Sequence, residues 1–377
     1  MVCLTAPAPS DCVQCLEPAL PSRFHGLRRF ADRLRRRIRR VLGRHDNTPW
    51  VMTPRAPRAR SEYVDFVFGL DYLSTNSTML RLFHEAMSHR GLSLLLVNKS
   101  NVEQAIGRIR RGQLRPTVYL DLCSRPGEPF WDLLHVAADA GIHTIRKPAD
   151  EKWIYKARAH PLLAAEGFPL PPTVIFRPED PDRELADDER ARIGEQCVIK
   201  PSFGEACKGV KLRQPPTRQA IAAARDYDRR DDWLVQTMIP WGRCGDRPAY
   251  WRVYHIAGAR SILWWSHERR GYDLLTWDDV RRYDLMGVLD IASRMSRLTG
   301  MDFFSTEVAA VDGGPQRFYM IDYCNDECDI DPEGGATGSP PHAWTRWVYR
   351  RFADFTWHRK HGLDMLRDNA ICLPQAP

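Results

Sequence analysis

The chain has no run of eighteen apolar residues, so no segment reads as a membrane-spanning helix. Its opening, MVCLTAPAPSDCVQC, lacks a charged stretch followed by an apolar one, and a secretory leader is not expected. The ten cysteines have no framework spacing, which argues against a disulfide scaffold and for reduced thiols in a cytoplasmic protein. Cys12 and Cys15 form a lone C-x-x-C; zinc would need two more ligands, and His25 and His45 are poorly spaced to supply them. No G-x-G-x-x-G follows the first strand of the body, which removes the dinucleotide reading. No G-x-x-x-x-G-K-[ST] occurs, which removes a P-loop. Residues 1–60 contain no lysine but thirteen arginines against four acidic residues, a net +9. The whole chain carries +7, so the remainder is near −2, and a nucleic-acid partner is not expected for the body.

What is present is a globular composition, 43% hydrophobic and 27% charged, long enough for two or three domains. Residues 1–22 read as disordered. Residues 23–43 read as an amphipathic helix, with Phe24, Leu27, Phe30, Leu34, Ile38 and Leu42 on one face and arginines on the other. Such a helix can dock on the body, or contact an anionic surface or partner. A proline-rich linker follows over residues 44–60. From residue 62 strands alternate with helices: YVDFVFGL, TMLRLFHEAMSHRG, LSLLLVN, VEQAIGRIRRG, TVYLDLC, FWDLLHVAADAG and IHTIR. That alternation predicts a small parallel α/β domain. Downstream, DEKWIYKARAHPLLAAEGF predicts one helix, PLPPTVIF and WLVQTMI predict strands, and residues 217–226 predict a helix. WRVYHIAGARSILWWSHE predicts a hairpin turning at Gly258, and DDVRRYDLMGVLDIASRMSRLTG predicts one helix. FFSTEVAAVDGGPQRFYMIDYCN predicts a second hairpin, and PHAWTRWVYRRFADFTWH a last helix.

The stretch CVIKPSFGEACKGVKL carries chemistry. Gly204 and Gly209 allow backbone N–H groups to approach an anion, and Lys200 and Lys208 add positive charge. Farther on, the two strands of one hairpin bear Glu307 and Asp322, with Asn325 three residues later. All three offer hard oxygen ligands of the kind Mg²⁺ prefers. A phosphate-holding loop followed by a carboxylate-bearing strand pair points to a nucleotide–magnesium site.

The order of these motifs resembles the ATP-grasp superfamily, which includes glutathione synthetase, D-alanine ligase and ribosomal-protein glutamate ligases. The motifs are a lysine before a helix and GFPLPPT, then VIKPSFGEACKGV, then WLVQTMI, then an arginine on a strand, then STEVA and MIDYCN. The resemblance covers about residues 62–335. It implies an α/β (α+β) fold in which two subdomains sandwich ATP. The matching divisions are a basic extension (1–60), an N-terminal α/β domain (61–147), a central subdomain with a phosphate lid (148–236), a C-terminal subdomain with the metal site (237–360) and a tail (361–377). It also implies Lys156 and Lys200 on the nucleotide, and the loop from Ser202 through Gly204 and Lys208 to Gly209 as its lid. The backbone around Gln236, Thr237 and Met238 would read adenine, and Arg252 would face the transferred phosphate. Glu307, Asp322 and Asn325 would hold Mg²⁺, with Mn²⁺ as the alternative ion. Arg252 and Lys200 would be the catalytic cations. Asp302 competes with Glu307 for the first metal position. The implied activity is ATP-dependent ligation of a small-molecule carboxylate to an amine or thiol through an acylphosphate. A nucleotide-binding scaffold and a small-molecule kinase are the alternatives.

The sequence departs from the family pattern at several points. Tyr155 stands before the first lysine where aspartate is usual, Thr237 where glutamate is common, and Tyr250 where many members have an acid. Asp246 is a substitute for that acid as the ribose ligand. Ala206 and Cys207 thin the lid of glycine, and IDYCN is one residue longer than the usual acid-x-Asn. Arg269 and Arg270 could bind an acidic substrate but read more readily as solvated surface, and His342 could line an acceptor pocket. Cys324 and Cys328 read as packing residues.

Overall fold

The computed structural model describes residues 61–70, 77–123, 128–204, 207–266, 269, 271–312, 317–333, 338–363 and 370–373. The expected basic helix, the C-x-x-C and the linker lie outside these residues, as do Arg270 and the tip of the second hairpin.

The first layer is built from β1 (Glu62–Gly69), α1 (Thr78–His89), β2 (Leu94–Val97), α2 (Val102–Arg110), β3 (Leu114–Asp121), α3 (Pro129–Asp139) and β4 (His143–Thr144). Its strands are parallel, in the order β2-β1-β3-β4. A parallel sheet covered on both faces needs apolar residues on both sides of each strand, and β1 supplies them. Phe66 and Phe68 each meet Phe83 of α1 at 5.1 Å, while Val64 and Val67 pack with Ala105 and Ile109 of α2 and with Leu133 of α3.

The second layer holds α4 (Glu151–Ile154), α5 (Lys156–Ala165), β5 (Thr173–Phe176), α6 (Asp187–Ile193), β6 (Cys197–Pro201), β7 (Lys211–Gln214), α7 (Arg218–Arg225) and β8 (Trp233–Thr237). The sheet is antiparallel, in the order β5-β8-β6-β7. Side chains alternate along β6 and β8. Cys197, Ile199, Trp233 and Val235 enter the core beneath α7, which leaves Lys200 and Gln236 on the opposite face. The single helix expected over 150–168 is broken. Tyr155 takes an extended ψ of 109°, and Lys156 N–H donates to Ser202 O at 3.0 Å instead of continuing α4. The break makes Lys156 the first residue of a new helix.

The third layer follows with β9 (Arg243–Cys244), β10 (Arg247–Pro248), β11 (Tyr250–Ile256), β12 (Ala259–Ser266), β13 (Gly271–Leu274), α8 (Trp277–Arg282), α9 (Met286–Thr299), β14 (Phe303–Ala310), β15 (Phe318–Asn325) and α10 (His342–Lys360). The antiparallel order is β13-β12-β11-β14-β15. Ala257 and Gly258 turn the β11–β12 hairpin with φ of 47° and 86°, a two-residue turn with both positions left-handed. The helix expected over 278–300 is also two helices, parted where Asp284 adopts a φ of 51°. One face of the sheet, with Trp251, Val253, Ile262, Phe304 and Val308, packs on Val288, Leu289, Ala292 and Met295 of α9. Tyr250, Tyr254 and Trp265 enter a different core, which also contains α10. That helix returns to the first layer: Phe352 lies 6.2 Å from Phe66, 6.1 Å from Phe83 and 5.2 Å from Phe303, joining the first and third layers in one core.

Candidate functional site

The cleft between the second and third layers is organised around Lys200. Its ammonium is buried, donating to Gln236 Oε1 at 3.0 Å and to the carbonyl of Ile321 at 2.7 Å, and it lies 5.3 Å from the centre of the Tyr323 ring. These contacts join β6 and β8 to β15. Burial lowers its pKa to about 8, with Asp322 pulling upward and Lys156 pushing downward. Lys156 enters from the start of α5, with Nζ 3.5 Å from Asp322 Oδ1 and 3.4 Å from Gly204 O. Ser202 secures that helix start. Its carbonyl accepts from Lys156 N–H, and its Oγ accepts from Ala157 N–H at 3.0 Å, doing from a distance what an N-cap side chain does locally.

The carboxylates owe their placement to irregular pairing. Glu307 opposes Asp322 across β14 and β15, Val308 opposes Met320, and Ser305 opposes Asn325. Strand β15 therefore carries one extra residue on each side of Asp322. In a regular strand Asp322 and Asn325, three apart, would point to opposite faces. Here both oppose residues only two apart, so both belong to one face. The bulges absorb the extra residue of IDYCN that departs from the family spacing. The one between Met320 and Asp322 sits where the Ile321 carbonyl receives Lys200, and Thr306 Oγ1 donates to Asp322 O at 2.6 Å to hold the strand.

Glu307 is buried and engaged at both oxygens. Tyr250 OH donates to Oε2 at 2.5 Å, and Arg252, its cross-strand partner, ion-pairs with Oε1. Arg252 also donates to Tyr272 OH at 2.6 Å and lies 5.0 Å from the Trp265 ring and 5.6 Å from the Tyr272 ring. Burial opposes its charge, but Tyr272, Glu307 and Tyr254 together outweigh burial and hold it protonated. Arg252 thus orients Glu307 in this structure and does not present a free cation.

No protein-family model matches the sequence, and no curated protein does. Solved structures do. The chain is similar to a RimK-domain ATP-grasp protein of Sphaerobacter thermophilus, at 18% identity and a TM-score of 0.52 over 77% of this chain and 98% of that one. It is similar to D-alanine–D-alanine ligase of Bacillus anthracis complexed with ATP, at 12% identity and 0.54 over 79% and 99%. It is also similar to the ATP-grasp ligase PsnB complexed with a minimal precursor, Mg and ADP, at 15% and 0.51 over 79% and 98%. The chain has the ATP-grasp fold.

Within that fold, the residues expected from sequence separate into three groups. Lys156, Lys200, Gln236 and Asp322 converge at the cleft, and Glu307 and Asn325 share the β14–β15 hairpin with Asp322. The lid residues form the second group. Ser202 is buried and caps α5; Lys208 is exposed; Gly209, at φ 75°, lies so close to Tyr227 that a Cβ would come within 2.7 Å of the ring. The expected hinge is the third: Thr237 N–H donates to Pro172 O at 2.9 Å and Met238 N–H to Gln196 O at 3.1 Å. Those two donors are committed to the protein, and this segment faces the cleft through the Gln236 side chain.

The remaining candidates fall away from the cleft or into packing. Asp302 precedes β14 and bonds His143 Nε2 at 2.8 Å, which leaves Glu307 as the cross-strand partner of Asp322. Tyr155, in place of aspartate, stacks on Phe203 at 4.9 Å, and Tyr250, in place of an acid, binds Glu307. Asp246 lies exposed between β9 and β10, Arg269 pairs with Asp273 at 2.9 Å, and His342 is exposed at the start of α10. Cys324 and Cys328 are buried against Met301 Sδ and Asn325 O, and burial pushes both thiols up, away from reactive thiolate.

Among the described residues no three His, Cys, Asp or Glu side chains cluster to hold a metal by themselves. Two carboxylates and an amide on one hairpin face are the donor set Mg²⁺ uses when phosphates complete its shell, and in that sense the residues fit. His160 and Tyr323, not singled out in the sequence, also meet here, with His160 Nδ1 2.6 Å from the Tyr323 hydroxyl. His160 lies one helical turn after Lys156, and Tyr323 follows Asp322; both spacings were readable, but neither residue type marks a nucleotide site.

Proposed function

We propose that the chain is an ATP-dependent ligase that joins a small-molecule carboxylate to an amine or thiol through an acylphosphate, using ATP with Mg²⁺, or Mn²⁺ in its place. The observation that carries this reading is the convergence of Lys156 and Lys200 from one layer on the hairpin bearing Glu307, Asp322 and Asn325 from the next. The similarity to solved ATP-grasp ligases supports it. A substrate carboxylate oxygen attacks the γ-phosphorus, and the bond to the β,γ-bridging oxygen breaks, releasing ADP. The amine or thiol then attacks the acyl carbon; phosphate leaves with the C–O electron pair, and the nucleophile loses its proton. Lys156 and Lys200 place positive charge against the phosphates in a cleft of low dielectric. Arg252 and Tyr250 hold the Glu307 carboxylate in place, while Glu307, Asp322 and Asn325 would hold the metal. When bound, Mg²⁺ supplies neutralisation of the charge developing on the β- and γ-phosphates.

The test is MgATP binding by calorimetry for the wild type, Lys200→Ala and Asp322→Asn, followed by ADP release and hydroxamate formation with hydroxylamine across a panel of carboxylates. Binding lost in both variants and hydroxamate trapped in the wild type support the reading. Binding with no ADP release for any acceptor would leave a nucleotide-binding scaffold. Phosphate transferred to an alcohol would make it a kinase.

A further inference from the structure

We propose that His160 and Tyr323 are positioning residues of the nucleotide site, fixing the Lys200 ammonium through Gln236. The inference rests on the nucleotide-site reading above and assigns the site two residues that its motifs do not include.

The contacts form one chain of defined direction. Lys200 Nζ can only donate, so Gln236 must present Oε1 to it, at 3.0 Å. That orientation turns Gln236 Nε2 toward Thr173 Oγ1 and Tyr323 OH, both at 2.9 Å. Tyr323 OH, accepting from Gln236, must send its own proton elsewhere, and His160 Nδ1 lies 2.6 Å away. Thr173, also beside this hydroxyl, already accepts from Gln236 Nε2, so the arrangement is best served by a neutral His160 that accepts at Nδ1 and carries its proton on Nε2. Burial, and then the charge of Lys200, lower its pKa to about 4, in agreement with that tautomer. The chain spans four elements: α5, which also carries Lys156; β6 with Lys200; β8 with Gln236; and β15, where Tyr323 adjoins Asp322. Tyr323 acts twice, since its ring also lies beneath the Lys200 ammonium.

A buried ammonium between two fixed acceptors keeps one position; one whose amide acceptor can rotate does not. With the Tyr323 hydroxyl gone, Gln236 Nε2 keeps only Thr173, and the amide is free to turn Oε1 away from Lys200. When His160 can no longer accept, Tyr323 must turn its proton toward Gln236 or toward Thr173, and either choice competes with the bonds that hold Gln236 Nε2.

The experiment measures MgATP dissociation constants for the wild type, Lys200→Ala, Tyr323→Phe, His160→Gln and His160→Met, with a thermal transition for each. Gln keeps an acceptor for Tyr323; Met matches the bulk without one. We expect Tyr323→Phe and His160→Met to weaken binding about five- to tenfold, as loss of one hydrogen bond to a charged network would. His160→Gln should stay within about twofold of the wild type on the same scale. A purely packing role predicts that Met matches or exceeds Gln, and that order overturns the inference. If Tyr323→Phe does not fold, the half-buried His160 pair still decides. A wild type that binds no MgATP would sink the nucleotide-site reading itself. Tight binding lost in Lys200→Ala but unchanged in Tyr323→Phe and His160→Met would sink only this inference.

Discussion

Lys200 should make stability and nucleotide affinity respond to pH in opposite directions. Burial lowers its folded-state pKa from 10.5 to about 8. Below pH 8 the ammonium is charged in both folded and unfolded chains, and the folded state bears its desolvation. Between pH 8 and 10.5 the folded chain has released this proton while the unfolded chain retains it, so stability rises with pH across that window. At roughly 1.4 kcal/mol per pKa unit the rise totals on the order of 3 kcal/mol, or about 5 °C in Tm for a chain this size. If Lys200 serves the nucleotide as proposed, ATP affinity should move the other way, falling above pH 8 as that cation is lost. The assay is thermal unfolding followed by tryptophan fluorescence at pH 7 to 10, with MgATP titrations at the same values, for the wild type and Lys200→Met. Tyrosines and cysteines titrate in the same range, so the quantity read is the difference between the two proteins. Wild-type and Lys200→Met curves that run parallel over the whole range would refute the buried, charged placement of Lys200.

Other outcomes follow from the same geometry. Ser202→Ala removes the acceptor for Ala157 N–H and should cost about 1 kcal/mol in urea unfolding, with weaker ATP binding because Lys156 sits on the frayed turn. Arg252→Met removes the ion pair of the buried Glu307 carboxylate, and should destabilise by roughly 3 kcal/mol or more in the same assay. Substituting lysine there should rescue poorly, because Tyr272 and Glu307 are served by two arms of one guanidinium. Asn325→Asp should retain metal-dependent ATP binding and Asn325→Ala should weaken it, measured as the Mg²⁺ concentration at half saturation; equal behaviour of the two would remove Asn325 from the metal set.

Lysine is scarce in this chain, only eight residues against forty-seven arginines, and two of the eight meet in the cleft. Much of the site was legible for reasons of this kind. Hard-oxygen residues on a hairpin, and a lysine on a strand before a glycine-bearing loop, are chemical types at local spacings, and local spacing survives folding. The parallel layer was legible because strands buried on both faces read as apolar runs, as in YVDFVFGL. Breaks within helices were not legible. KARAHPLLAAEG continues the apolar and polar pattern of the residues before it, and only Ser202, 46 positions after Lys156, supplies the acceptor that starts a new helix there. The place of Asn325 was hidden for a similar reason: a bulge is decided by which residues oppose it on the partner strand. Gln236 could be named from its strand, but its bonds to Lys200, Thr173 and Tyr323 exist only because three other elements arrive beside it. Sequence alone thus determined the residue types, their order and the faces of the strands, which depend on backbone periodicity. Tertiary structure decided the pairing of buried polar groups, because each donor or acceptor withdrawn from water must take whichever partner the packing brings within reach.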